Sequence, residues 1–379
     1  MEQQLTNLIA ATSEAKRTSW AKDFKSSGGK VIGTLCSYVP EEIIYAAGML
    51  PWYIAPVTEG NITKALVHRV PSSSQYCNAV LESLMNGQLD FLDGVVATDR
   101  EQDLVRLWDV WVHLGKTPFA HIMHVPSRDD ELGCRQMAKD IRSLTKALED
   151  FGGRKITDDS LRQATKVLNK TRLLLSQMYE LRKRQSPAVS GSEAMTIVAA
   201  ATVMPKERFN KELESLLPYL EHRKVPSDQG RPRILVSSDT LDRPSYIELV
   251  EQAGAVVAMD DLDPGSRYFW LQVDGSAKDL PYALAKRYLN RPGHPRMFAW
   301  DKQVQQIVDW VRDFRIDGVL ELVETFSLPR EFRVPVLHAE LTKAGIPNMS
   351  IPRQRDMADA GQIGTRIQAF VEMLQAKKA

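Results

Sequence analysis

The chain has 379 residues, with 49 Lys plus Arg against 48 Asp plus Glu, a formal charge of +1. That length supports two or three domains around a sizeable core, and near-neutrality argues against a nucleic-acid protein held by a basic face. No apolar run reaches a membrane span, residues 1–25 lack a signal-peptide core, and three cysteines without a secretory signal make no disulfide framework, so the expected setting is the cytoplasm, without membrane or nucleic-acid partners.

Residues 1–25 read as one polar amphipathic helix. Strands are predicted at 31–35, 94–97 and 119–124, with helices at 40–48, 74–87, 103–114 and 131–150. This alternation implies a parallel α/β unit, an N-terminal domain over 1–150. Residues 151–228 change character. Ile156-Thr157-Asp158-Asp159-Ser160 is a helix start with acidic first-turn residues. Leu161, Val167, Leu168, Leu174, Leu175, Met178 and Leu181 then recur at helical spacing. Pro187-Ala188-Val189-Ser190-Gly191 breaks that helix, and two more follow at 193–203 and 206–219. A polar linker at 225–232 leads into a second α/β domain over 229–379. Its strands are expected from 233 and at 255–259, 318–322 and 348–351, with helices at 244–253, 304–314, 331–344 and 361–376. Asp93-Gly94-Val95-Val96 and Asp317-Gly318-Val319-Leu320 echo each other as matching positions in two similar halves. The expected fold class is therefore α/β, two Rossmann-like parallel-sheet domains with an intervening helical module. No G-x-G-x-x-G is present, so neither half should bind a dinucleotide in the usual way.

Two cysteines stand out. Cys36 ends a short β-run before the helix that Pro40 opens, and Cys77 sits where a loop enters a helix. A helix N-terminus favours the thiolate, the form that binds iron, and the two could meet at one end of a sheet. Ser37, at the same strand end, offers a hydroxyl to a substrate or a cap contact near Pro40. His121 and His124 straddle a strand, and no zinc spacing is present. Asp260, Asp261 and Asp263 precede Pro264-Gly265 and read as a turn.

The segments GKVIGTLCSYVPEEIIYAAGMLP, FLDGVVATDREQDLVRLWDVW, PAVSGSE, AGAVVAMDDLDPGSR, AKRYL and GQIGTRIQAFVEML occur in order over most of the chain. Together they resemble the component D subunits of 2-hydroxyacyl-CoA dehydratases and the non-activator subunits of ATP-dependent benzoyl-CoA reductases. The resemblance implies a lyase subunit in anaerobic metabolism that eliminates water from an acyl-CoA thioester through a ketyl radical. It implies a homologous second subunit, giving a heterodimer, and an ATP-dependent iron–sulfur activator that supplies the electron. The alternatives are a subunit of an aryl-CoA (benzoyl-CoA) reductase, or a cluster-free supporting subunit of either enzyme.

The resemblance also implies a [4Fe–4S] cluster held by three cysteines, since such clusters are bound by thiolates. Cys36 and Cys77 fall on the first two ligand positions, and the third reads Gln102. A further family cysteine position, in a turn after the second Asp-Gly-Val strand, reads Ser327. Three readings stay open. Cys36 and Cys77 bind a cluster with an oxygen ligand such as Asp99, Glu101 or Asp103, or with a ligand from a partner; the cluster is absent from this subunit; or Cys134 moves in. Ser37 is the catalytic candidate, and Gln102 a candidate contact to cluster or substrate. His68-Arg69 could meet a CoA phosphate, with a solvated loop as the simpler reading. Arg267 and Arg366 are read as braces to carboxylates ahead of CoA contacts.

Overall fold

The computed structural model describes residues 2–56, 62–223, 228 and 230–378. Of the predicted linker at 225–232, residues 225–227 and 229 lie outside the described residues. The N-terminal segment forms two helices, α1 (Glu2–Ala10) and α2 (Glu14–Ser26), where one was expected. The chain leaves helical geometry at Ser13, whose ψ is 147°.

The first sheet takes β1 (Val31–Thr34), β2 (Leu50–Tyr53), β3 (Gly94–Thr98) and β4 (Phe119–Met123) in the order β2-β1-β3-β4, all parallel. Helices α3 (Glu41–Ala46), α4 (Gln75–Met85) and α5 (Gln102–Leu114) connect these strands, and α6 (Glu131–Gly152) follows. Strand β2 was not anticipated. Its Leu-Pro-Trp-Tyr run carries a proline, which a central strand would reject for want of an N–H. At the sheet edge Pro51 is accommodated, paired in register with Ile32.

Three helices form the module between the sheets: α7 (Asp158–Glu180), α8 (Gly191–Ala201) and α9 (Lys206–His222). Thr157 caps α7. Ser190 and Glu193 close a reciprocal capping box on α8, which fixes where the broken helix restarts.

The second sheet contains β5 (Arg233–Thr240), β6 (Val256–Asp263), β7 (Gly318–Glu324) and β8 (Asn348–Arg353) in the order β6-β5-β7-β8. Its helices are α10 (Ser245–Gln252), α11 (Ser266–Phe269), α12 (Leu280–Asn290), α13 (Trp300–Asp313), α14 (Leu328–Lys343) and α15 (Ala360–Lys378). The two sheets share one topology, and the echoed Asp-Gly-Val segments occupy equivalent strands, β3 and β7. Their aspartates do the same work. Asp93 Oδ2 accepts from the Val31 N–H at 2.8 Å, and Asp317 Oδ2 accepts from the Arg233 N–H at 2.6 Å. Each carboxylate thereby holds the start of the neighbouring central strand.

Two further features depart from expectation. Asp260, Asp261 and Asp263 are not in a turn but are buried residues of β6. Buried cations hold them there, and such partners are not visible in a local pattern. Helix α12, also unexpected, belongs to the second half of the sequence but packs on α6 of the first. Its Leu280, Leu284, Tyr288 and Leu289 share one core with Met137, Ile141 and Leu144.

Candidate active site

In a parallel sheet the loops after the strands gather at the carboxyl edge, where ligands bind in open α/β folds. Here the two carboxyl edges face each other. Residues just after β1 and β3 meet the last residues of β5 and β6 through buried charges. Arg100 Nη1 donates to Asp263 Oδ2 at 3.1 Å, and Arg100 Nη2 to Glu101 Oε1 at 2.9 Å. Glu101 Oε1 lies 2.8 Å from His294 Nε2, which lies 3.7 Å from Asp239 Oδ1. Arg330 Nε lies 2.8 Å from Glu321 Oε1, and Arg330 Nη2 donates to Ser237 Oγ at 2.5 Å. Arg267 Nε donates to Asp261 Oδ1 at 2.7 Å, and Arg333 lies 3.6 Å from the same carboxylate.

The network is close to electrically balanced. Asp239, Asp261, Asp263, Glu101 and Glu321 face Arg100, Arg267, Arg291, Arg330 and Arg333. Burial raises the Glu101 carboxyl, but Arg100 and His294 outweigh it and hold the group at about 2. Burial also opposes ionisation of Asp239, Asp261 and Asp263, yet their arginines keep all three below the usual carboxylate range. Burial, and then Arg100, push the His294 imidazole down, which favours its neutral form.

The expected site residues divide among different surroundings. Cys36 follows β1, Cys77 lies in the first turn of α4, and Gln102 begins α5, so the topology brings all three to the carboxyl edge of the first sheet. Cys36 Sγ accepts from the Tyr38 N–H at 3.3 Å. Burial pushes both thiols up, against the lowering by Arg100 at Cys36 and by Arg69 at Cys77. The helix-end effect anticipated from the sequence is therefore outweighed by desolvation. Cys134 is buried on α6, near Asp129 and Asp130.

Ser37 does not cap a helix. Its hydroxyl donates to Asp263 Oδ2 at 2.7 Å and accepts from Arg291 Nη2 at 2.7 Å, which ties the first half to the second. Arg69 is buried and bonded to Asp103 at 2.5 Å, to Asn78 and to Ser73, so the solvated-loop reading is corrected and its guanidinium is already engaged. Arg267 is the carboxylate brace expected of it. Arg366 is not: it is exposed and donates to the Ser350 carbonyl at 3.2 Å.

Sequence reasoning missed Arg100, Asp239, His294 and Arg330, and named Glu101 only as a candidate oxygen ligand to a cluster. A usable signal was present in the density of charge at strand ends, in Asp99-Arg100-Glu101 and Ser237-Ser238-Asp239. Strand C-termini in parallel sheets open onto sites rather than onto bulk turns.

Beside the network lies an open cavity of about 490 Å3. Gln102 lines it from α5, Trp300 from α13, and Phe326, Leu328 and Phe332 from the turn and first turns of α14. Both non-cysteine positions, Gln102 and Ser327, face this space. Cys36 lines a different space of about 10 Å3, room for a single water.

A [4Fe–4S] cluster held by this chain alone does not fit these donors. The family positions supply two thiols and one amide, and an amide cannot replace a thiolate's charge. Among the described residues no three His, Cys, Asp or Glu side chains are grouped to hold a metal ion. The Arg100 guanidinium lies near enough to Cys36 to act on its thiol electrostatically.

The sequence profile of the family described as 2-hydroxyglutaryl-CoA dehydratase, D-component, matches residues 36–374. The (R)-2-hydroxyglutaryl-CoA dehydratase subunit beta of Acidaminococcus fermentans is 28% identical over 373 residues, covering 96% of this chain and 97% of that one. The (R)-phenyllactyl-CoA dehydratase beta subunit of Clostridium sporogenes is 23% identical over 354 residues, covering 93% and 94%. One of the subunits of the benzoyl-CoA reductase of Thauera aromatica is 25% identical over 361 residues, covering 91% of each chain.

Proposed function

Because this chain belongs to the 2-hydroxyglutaryl-CoA dehydratase D-component family, we propose that it is a non-activator subunit of a 2-hydroxyacyl-CoA dehydratase-type enzyme. The substrate is a CoA thioester, and the net reaction removes water to leave an enoyl-CoA. The observation that carries this reading is similarity to dehydratase subunits over nearly the whole of both chains, with 96% and 97% covered in one case.

The subunit works with a homologous second chain. Relatives are named as beta subunits, and the donor set here is incomplete. We assign the [4Fe–4S] cluster that one-electron chemistry needs to that partner, and the electron itself to an ATP-dependent iron–sulfur activator. The place of action is the cytoplasm. Among the described residues no helix is long and apolar enough to cross a membrane.

Within this division, the chain's own residues bind and orient. The buried charge network, with Ser37 and Arg291 in it, fixes the two sheet edges against each other. Gln102 presents an amide, able to donate or accept, at the mouth of the cavity.

The test is anaerobic co-purification from the native host, followed by assay with 2-hydroxyacyl-CoA thioesters, the activator and ATP. Enoyl-CoA formation with catalytic ATP supports the proposal. ATP consumed in proportion to product would move the chain to the aryl-CoA reductases. A chain that purifies with no partner and full activity would contradict the proposed division of labour.

A further inference from the structure

We propose that the cavity beside Gln102 receives the acyl part of the thioester, and that this acyl group is apolar, aromatic or long-alkyl, rather than a dicarboxylate. The inference rests on the CoA-thioester reading above and adds the substrate class.

Three observations carry it. First, the cavity's size, about 490 Å3, lies within the roughly 300–1,000 Å3 of small-molecule sites. Second, its walls are apolar: Trp300, Phe326, Leu328 and Phe332 line it, together with Phe298. Phe298 and Phe332 are 80% and 71% exposed, so large rings stand uncovered at its rim. Aromatic faces of this kind take a planar or alkyl group by burial and offset stacking.

Third, the charged groups around it are few and mostly engaged. Glu101 and Asp103 are the acids of the lining, and each already has cationic or imidazole partners, Arg100 and His294 for Glu101 and Arg69 for Asp103. The lining cation is Arg296, which donates to the backbone carbonyls of Asp99 and Arg100. The distal carboxylate of a glutaryl group would find one cation in the lining, Arg296, whose Nη1 is held by backbone carbonyls, and would lie beside two acids and against walls that are mainly apolar. An aryl or alkyl chain meets no such conflict.

Gln102 supplies the polar contact. Its side chain is exposed at the cavity and makes no hydrogen bond among the described residues. It is placed to donate to an acyl-group oxygen while the chain beyond it lies on the rings.

The test measures equilibrium binding of 3-phenylpropionyl-CoA, glutaryl-CoA and free CoA to the full chain, alone and in its co-purified complex. Phenylpropionyl-CoA is expected to bind at least about tenfold more tightly than glutaryl-CoA. Phe332→Ala should weaken phenylpropionyl-CoA about tenfold and leave free CoA unchanged, Phe332→Leu should restore most of the loss, and Phe332→Lys should move the preference toward glutaryl-CoA. Equal or tighter binding of glutaryl-CoA overturns the acyl assignment alone. So does a Phe332→Ala chain that binds thioesters normally but no longer holds its partner, since the rings would then form an interface between the two chains. Failure of every CoA thioester to bind would instead remove the reading on which the assignment rests.

Discussion

Asp263 shows how one carboxylate joins two halves of a chain. It accepts from Ser37 and Arg100, both from the first half, and lies at the end of a strand in the second. Removing one partner of a buried, hydrogen-bonded ion pair leaves an uncompensated charge, typically at a cost of about 3–5 kcal/mol. Asp263→Ala should therefore lose stability of about that size in urea unfolding, with Arg100 left unpaired toward it. A loss under about 1 kcal/mol would show that the pair is not what holds the edges together. The cysteines carry a second expectation. Anaerobic reconstitution of the isolated chain with iron and sulfide should leave it without a full cluster, and Cys36→Ser should change little. A full cluster per chain, lost in Cys36→Ser, would return the cluster to this subunit. At this scale the sequence was partly legible. Positions 36, 77 and 102 could be aligned on a motif, but the guanidinium beside Cys36 could not, because Arg100 reaches its partner Asp263 across 163 residues of sequence.

At the scale of elements, the matched aspartates of the two halves are the clearest repeated device. Asp93 and Asp317 each accept from the first N–H of a central strand, Val31 and Arg233. Losing such an acceptor leaves a buried donor unmet, at about 1–3 kcal/mol. Asp93→Ala and Asp317→Ala should each cost that much by chemical denaturation, and a neutral result at both sites would refute the shared role. The Asp-Gly-Val echo made this symmetry readable in advance. Most long periodic helices and the β-branched strands were equally readable. Strand β2 was hidden because its four residues include Pro51, tolerable only at an edge that topology defines. Helix α12 was hidden because Pro281 and its short length weaken the periodic signal, and its partner, α6, lies far back in sequence. The acids of β6 were read as a turn because, locally, Asp-Asp-Leu-Asp-Pro-Gly is turn chemistry. Their burial depends on arginines supplied from elsewhere.

For the whole molecule, the facing sheet edges make stability depend on acid. Burial raises the Asp261 carboxyl, but Arg267 and Arg333 lower it by more, for a net depression below the ordinary range. Burial likewise opposes Arg330 and His294 at Asp239, and the net shift is again downward. A folded value below the unfolded value, about 3.9 for Asp, contributes stability that is complete above that pH. That stability is lost as pH falls toward the depressed folded values. The melting temperature should accordingly decline modestly below about pH 6.5, where protonating the buried, depressed His294 imidazole costs stability, and fall steeply below about pH 4, where the carboxylates protonate. Calorimetry showing no fall down to about pH 3 would remove these carboxylates as a source of cohesion.

Helix α12 has a consequence for how the chain is made. Its Leu284 and Leu289 complete a core whose other wall, Met137, Ile141 and Leu144, belongs to α6, which ends at Gly152. A nascent chain must therefore be extended from α6 to Asn290, the end of α12, before that wall is covered. At roughly 5–20 residues per second, the wait is on the order of ten seconds. For that interval the first half is a sheet with one flank open, the state most exposed to wrong association on the ribosome. A gene split between the two sheets would make that interval permanent, and each half would then need the other present in solution to become soluble.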